Sequence, residues 1–153
     1  KAILIGLLLA ILVLSFMQLA FFPVLEGFTS FEDTEVGLYE FVRRSKWHFL
    51  FIVAMGWIVG GLYEEIVFHG FIFTRLEKMI KGKYSIQVSF ILSAIIFGLY
   101  HLQLGPLGTI NAFLVGVVYL GLFLYFKRNL WYSIICHGFY NTLVFTLIYL
   151  DYL

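Results

Sequence analysis

The chain has 153 residues, of which 62% are hydrophobic and 12% are charged, and its formal net charge is +1. A soluble domain carries about 25% charged residues, so this composition excludes an ordinary soluble domain. The small net charge also provides no basic surface for nucleic acid, and the single cysteine, Cys136, excludes an internal disulfide. We therefore predict an all-α fold, in which residues 1–153 form one polytopic transmembrane helix bundle in a lipid bilayer.

Five apolar segments have about the 20 residues that are needed to cross the hydrocarbon core of a bilayer. The first lacks the small-residue cleavage site of a signal peptide, so we interpret it as a span. Since the chain begins with Lys1 rather than Met, further residues can precede it. The five predicted spans are residues 2–22, 48–74, 84–102, 108–126 and 130–150.

Basic residues predict the orientation of these spans. Lys1, the cluster of cations in 75–83 and the pair Lys127-Arg128 all fall on one side of a five-span bundle, which the positive-inside rule makes cytoplasmic. The turn at 103–107 and the C-terminus then face outward with the polar connection 23–46. That connection is mainly acidic, with Glu26, Glu32, Asp33, Glu35 and Glu40, although Arg43, Arg44 and Lys46 oppose the rule.

Ionisable and amide side chains inside membrane spans are costly and usually mark function. In this chain they fall in the second, third and fifth spans, as Glu64, Glu65 and His69, then His101, then His137 and Asn141. The fourth histidine, His48, adjoins Trp47 and is most simply interfacial. Gly56 and Gly60 form a GxxxG pair, which indicates close packing of the second span against another helix.

The spacing of these polar residues suggests hydrolytic chemistry. Glu65 and His69 are four residues apart, as are His137 and Asn141, so each pair shares a helix face. Hydrolysis needs a base, a group that orients the base, and donors for an oxyanion, and this set contains all of these residue types. The alternatives are a purely structural polar network and a haem or metal-transport protein that uses His101 and His137. Ser133 is a weaker candidate, because no nucleophile-elbow motif surrounds it. Cys136 adjoins His137, but neighbours along a helix point about 100° apart, so a buried structural cysteine is the better interpretation.

The same residues resemble the CAAX-protease and bacteriocin-processing intramembrane proteases, the CPBP or Abi family. Its pattern is Glu-Glu-x-x-x-Arg, Phe-x-x-x-His and His-x-x-x-Asn or Asp on separate spans. The matches here are Glu64-Glu65 with His69 in the arginine position, Phe97 to His101, and His137 to Asn141, within a family-like core at 48–145.

The resemblance implies an intramembrane endopeptidase that acts on a membrane-associated peptide or protein, in the cell membrane of a bacterium. In it, Glu64 would be the general base that activates water, with His101 helping to hold that water. Glu65 would be a supporting acid positioned by His69, and His137 and Asn141 would form the oxyanion hole. The alternative is a non-catalytic membrane scaffold or bacteriocin-immunity protein of the same fold.

We favour hydrolysis without a cofactor, because the chain has no His-Glu-x-x-His motif. Zinc is the alternative, and its ligands would be Glu64, His101 and His137 with one open position. Helix depth presents one difficulty. At 1.5 Å per residue, Glu64 lies about 16 Å from the level of Arg75, whereas His101 lies about 27 Å from the level of Lys83. The two side chains are therefore expected about 10 Å apart in depth unless the third helix tilts, starts in the cytosol or borders a water-filled gap.

Overall fold

The structure is a computed structural model that describes residues 1–27 and 39–153. Helix α1 (Ala2–Phe16) continues through a π-helical turn (Met17–Phe21) into α2 (Phe22–Glu26). A 3₁₀ helix (Glu40–Arg44) precedes α3 (Lys46–Met55), a π-helix (Gly56–Ile72) and α4 (Phe73–Met79). Then follow α5 (Ser85–Tyr100), a 3₁₀ turn (Leu102–Leu104), α6 (Gly105–Tyr125) and α7 (Trp131–Tyr149). Glu32, Asp33 and Glu35 of the predicted acidic connection lie outside the described residues.

The predicted all-α membrane bundle is confirmed, with a helical stretch at each of the five predicted positions. Among the described residues, three stretches are long and apolar enough to cross a membrane: Ala2–Leu25, Lys46–Met79 and Leu102–Tyr125. Ser85–Tyr100 is a shorter apolar helix. Large apolar side chains such as Leu4, Phe51 and Ile91 are exposed on the outside of the bundle, as a lipid-facing surface requires.

The second helical stretch contains the long π-helix, whose hydrogen bonds join residues five apart rather than four. A π-helix therefore has more residues in each turn than an α-helix. Its buried residues follow this wider spacing and occur at steps of four or five: Gly56, Gly60, Gly61, Glu64, Glu65, Phe68 and His69. The π geometry keeps the glycines and the three ionisable residues on one inward face over the whole segment.

Close contacts with α7 organise the bundle. α7 packs against both α1 and the π-helix, while α5 packs mainly against α6. At Gly6 of α1, an added Cβ would lie 2.7 Å from Ile135 Cγ2 and 3.0 Å from the backbone nitrogen of Cys136. At Gly61 it would lie 3.2 Å from the carbonyl oxygen of Ile134. Gly6 and Gly61 thus let two helices approach the backbone of α7. At Gly56, of the predicted GxxxG pair, an added Cβ would lie 3.1 Å from Asn141 Cβ, so this pair also packs closely against α7.

The turn before α6 is shorter than expected. Gly105 has φ 79°, a conformation that suits glycine, and Pro106 occupies the first turn of the helix, where its missing N–H costs nothing. α6 therefore begins at Gly105, three residues before the predicted span at 108–126. The Gly-Pro pair therefore starts α6, whereas α5 has already ended at Tyr100.

Ion pairs join connections at each end of the bundle. At one end, the Arg43 guanidinium donates to the Glu40 carboxylate and to the backbone oxygens of Ile148 and Leu153, and it lies 3.1 Å from Asp151 Oδ1. At the other end, Arg128 makes a bidentate pair with Glu77 at 2.7 and 2.8 Å. Segments that were predicted to share a side of the membrane therefore lie together. Arg43, one of the residues that oppose the positive-inside rule, has two acidic partners, Glu40 and Asp151.

Candidate active site

The predicted site residues come from three helices and meet inside the bundle. Glu64, Glu65 and His69 lie on the π-helix, His101 directly follows α5, and His137 and Asn141 lie on α7. Glu65 and His69 are fully buried, and only 6% of the surface of Glu64 and 5% of that of His137 are exposed. The structure thus brings together every residue of the predicted set.

Glu65 is held between two histidines. Its Oε2 lies 2.7 Å from His69 Nδ1, and its Oε1 lies 2.9 Å from His137 Nδ1. The first contact is the four-residue pair predicted from the sequence, and the second crosses from the π-helix to α7. The contact of Nδ1 with Glu65 fixes the orientation of the His137 ring. The other ring nitrogen, Nε2, is therefore directed away from Glu65.

Glu64 faces the Nε2 atoms of His101 and His137. Its Oε2 lies 3.6 Å from His101 Nε2 and 4.0 Å from His137 Nε2. These distances are too long for direct hydrogen bonds, and this buried oxygen has no hydrogen-bond partner within 1–27 and 39–153. A second contact fixes His101, whose Nδ1 lies 2.8 Å from the carbonyl oxygen of Phe97. The Nε2 atoms of both histidines are therefore directed towards one carboxylate oxygen.

The expected difference in depth between Glu64 and His101 is not found. The second helical stretch continues past Arg75 to Met79, and the next helix begins at Ser85. Counted from these paired ends, Glu64 is 15 residues from Met79 and His101 is 16 residues from Ser85, so the two lie at similar levels. Side chains also tilt towards the N-terminus of their helix, so in antiparallel helices these two tilt towards each other.

Asn141 and His137 converge on a glycine of the π-helix. Asn141 Nδ2 donates to the carbonyl oxygen of Gly56 at 3.2 Å. A Cβ added at Gly60 would lie 2.4 Å from that same nitrogen and 3.1 Å from His137 Nε2. Only a residue without a side chain leaves room there for both donors.

Aromatic rings surround the polar cluster. Tyr119 of α6 stacks on His137 with ring centroids 4.4 Å apart and an angle of 19°. Phe97 contacts the rings of His69, His101 and His137, at centroid distances of 5.3, 4.7 and 6.1 Å. Sequence reasoning identified Phe97 through its motif but missed Tyr119, because an aromatic residue in an apolar helix resembles any other core residue.

A cavity of about 250 Å³ opens on the polar cluster. Glu64, His101, His137 and Asn141 form part of its wall, and Asn111 and Tyr140 extend the polar surface. The rest of the wall is mainly apolar and includes Ile52, Met55, Val59, Leu104, Val144 and Phe145. The cavity is slightly smaller than typical small-ligand pockets, which have volumes of roughly 300–1,000 Å³.

The sequence also suggested a metal site, two other nucleophiles and an interfacial histidine. In the described part of the chain, no three or more His, Cys, Asp or Glu side chains have the arrangement of a metal site, and Glu64, His101 and His137 are the residues that would hold zinc in the alternative. The Ser133 hydroxyl donates at 3.0 Å to the carbonyl oxygen of Leu130, the residue that precedes α7, and Cys136 is a buried free thiol. His48 Nδ1 lies 3.0 Å from the carbonyl oxygen of Phe41 near an exposed helix end.

Comparison with known proteins identifies one family. The family model described as Type II CAAX prenyl endopeptidase Rce1-like matches residues 46–143, which include all six site residues. Neither a curated protein nor a solved structure matches the chain significantly.

Proposed function

Since the chain belongs to the Type II CAAX prenyl endopeptidase Rce1-like family, a family of membrane proteases, we propose that it is an intramembrane endopeptidase. Its reaction would be hydrolysis of a peptide bond in a membrane-associated peptide or protein, through a water activated by Glu64. We also expect it to act in the cell membrane of a bacterium.

The observation that carries this proposal is the position of Glu64. Its buried Oε2 faces two imidazole nitrogens at 3.6 and 4.0 Å on the wall of a cavity. A water between these groups would satisfy an otherwise costly buried oxygen. A carboxylate that accepts the proton of such a water, next to a space for substrate, is what a general base requires.

This arrangement supports the following reaction. Glu64 removes a proton from the water while the water oxygen attacks the carbonyl carbon of the substrate, and His101 helps to hold that water. The carbonyl oxygen becomes an oxyanion, and Asn141 Nδ2–H and His137 Nε2–H would donate to it. The C–N bond then breaks, and Glu64 returns the proton to the leaving amine.

Glu65 and His69 act through His137. When the His137 ring carries protons on both nitrogens, Nδ1–H donates to Glu65 and Nε2–H is a donor towards the cavity. His69 holds the other carboxylate oxygen in place at 2.7 Å. The usual motif has arginine in this position, so His69 is also the one observation that favours the alternative, a non-catalytic scaffold or bacteriocin-immunity protein.

Comparative peptidomics tests the proposal. Membranes that contain the wild-type protein are compared by mass spectrometry with membranes that contain Glu64→Gln at equal expression. A general base contributes about 10²- to 10⁴-fold to rate, so peptides generated by the wild type should fall by that factor in the variant. Production that resists metal chelators supports a water activated by Glu64 alone.

Glu77→Gln is the matched control, because Glu77 lies on the same helical stretch but pairs with Arg128 at the end of the bundle. It should leave the peptide products unchanged. Identical peptidomes for the wild type and Glu64→Gln, with both proteins folded, would contradict the peptidase and favour the scaffold.

A further inference from the structure

One polar side chain on the cavity wall lies outside the family motif. Asn111 of α6 is 9% exposed and lines the cavity together with Glu64, His101 and His137. A buried amide in a membrane bundle is costly unless it has hydrogen-bond partners. Its presence on the substrate cavity therefore calls for a physical explanation.

Only one half of this amide is engaged. The Tyr140 hydroxyl donates to Asn111 Oδ1 at 2.8 Å. Since the oxygen faces Tyr140, the amide nitrogen must point away from it, and among the described residues Asn111 Nδ2 donates no hydrogen bond. The hydroxyl of Tyr140 thus sets the orientation of the amide and leaves its N–H donors for another group.

The level of Asn111 along the bundle gives its distance from the peptide bond that would be cleaved at Glu64. Tyr140 is three residues beyond His137 on α7, which is about 5 Å along the helix axis. An extended chain advances about 3.3–3.6 Å per residue, so a donor at this level reaches one or two residues from the bond at Glu64. The small residues Gly108 and Ala112, on the same stretch of α6, also line the cavity and leave space for a chain near the amide.

We propose that Asn111 is a substrate-binding residue, whose Nδ2–H donates to a main-chain carbonyl of an extended peptide one or two residues from the scissile bond. This inference rests on the proposed peptidase function, because it assumes that the cavity accepts a peptide. Binding by a main-chain carbonyl anchors the chain without selecting its side chains. Sequence selectivity at this point would then come from the apolar wall.

A binding measurement tests this role separately from hydrolysis. The protein carries Glu64→Gln in detergent, and the probe is a fluorescent farnesylated peptide that ends in Cys-aliphatic-aliphatic-X, with its affinity followed by fluorescence anisotropy. Asn111→Leu, which has a similar size but no donor, should weaken binding about five- to tenfold, the value of one hydrogen bond. Tyr140→Phe should weaken binding less, because the amide is kept but no longer oriented.

Ser93→Ala is the control, because Ser93 lies on α5 outside the cavity wall and the change removes only its buried hydrogen bond to the carbonyl oxygen of Phe68 on the π-helix. It should leave the affinity unchanged, and thermal unfolding should show that all variants are folded. Peptides with a free C-terminus and with a C-terminal amide should lose the same factor in Asn111→Leu. A loss confined to the free acid would instead identify the terminal carboxylate as the group bound and overturn the proposal.

Two further results are decisive. An affinity that is unchanged by Asn111→Leu, or an absence of binding to the parent protein, overturns the role of Asn111. Binding that depends on Asn111 in a protein whose wild type cleaves no peptide would support the role of Asn111 and refute the peptidase.

Discussion

His69 and His137 approach the same carboxylate from two different helices, and that carboxylate, Glu65, is fully buried. A buried acid without donors would be strongly destabilising. The two imidazole nitrogens therefore stabilise the bundle and orient the site at once. Histidine can therefore stand where the motif has arginine, because either side chain has an N–H that can donate to the Glu65 carboxylate.

Two substitutions at position 69 separate these roles. His69→Arg keeps a donor for Glu65, and arginine can form more than one hydrogen bond with a carboxylate, so peptidase activity should be preserved or raised. His69→Leu removes the donor and should lower the free energy of unfolding by about 3–5 kcal/mol, as expected when a buried pair is broken.

Activity on a reporter peptide and thermal unfolding in detergent are the two measurements for this pair of variants. Complete loss of activity in a folded His69→Arg protein would show that the imidazole has a role of its own, which a permanent cation cannot perform.

At the scale of single residues, the sequence predicted the polar residues that meet inside the bundle but not the residues packed around them. Spacing predicted the pairs Glu65–His69 and His137–Asn141, and the resemblance to the intramembrane proteases added Glu64 and His101 to the same site. All six were noticed because ionisable and amide groups in apolar helices are conspicuous. Tyr119 and Asn111 were not identified. The first resembles ordinary core, and the function of the second depends on a contact with Tyr140 that crosses between helices.

At the scale of elements, the π-helix determines which residues face the site. An α-helix would rotate Gly56 and His69 progressively away from a common face, whereas the wider turn keeps both inward. Glycines occupy the first half of this face, where it meets α7, and ionisable residues occupy the second half. The sequence predicted a helix here but not its π geometry, since apolar residues surround both faces and give no periodic signal.

Two glycine substitutions on the facing helices should have different effects. At Gly60 a Cβ would meet Asn141 Nδ2 at 2.4 Å, the end of a side chain that can move, so Gly60→Ala should keep the fold and lower the rate at least tenfold by displacing an oxyanion donor. At Gly138 it would meet three ring atoms of Trp57 at 2.4–2.7 Å. Gly138→Ala should therefore destabilise the protein by about 1–3 kcal/mol through overpacking.

Unfolding midpoints and initial rates, measured on the same preparations, distinguish these outcomes. A Gly60→Ala protein with normal rate would show that Asn141 does not need its observed position for catalysis.

At the scale of the whole molecule, support for the site extends beyond the family match at 46–143. α1 precedes this range but packs along α7, and its Gly6 lies against the backbone of Cys136, the residue before His137. The sequence predicted α1 as a span, but its contact with α7 could not be inferred because neither helix has a distinct polar face. The predicted depth difference disappeared for a similar reason, since helix ends and side-chain tilt were not readable from charge positions alone.

The lengths of the helices differ enough to affect the surrounding lipid. α5 has 16 residues, which span about 24 Å, whereas the hydrocarbon core of a bilayer is about 30 Å thick. A short helix is accommodated by thinning of the bilayer around it, at a cost of a fraction of a kcal/mol for each Å. We expect peptidase activity in reconstituted vesicles to decrease by severalfold from short-chain to long-chain phosphatidylcholine. Activity that does not depend on acyl-chain length, at equal protein insertion, would contradict this expectation.

Hydrophobic mismatch at α5 gives the protein an uneven lipid boundary. Lipids beside α5 would be compressed, while those beside the longer helices keep their normal length. A substrate with a short apolar anchor disturbs such compressed lipid less than it disturbs a full bilayer, so it would collect next to α5, the helix that His101 follows. The membrane itself would then contribute to substrate selection by favouring short-anchored peptides before any contact with the cavity.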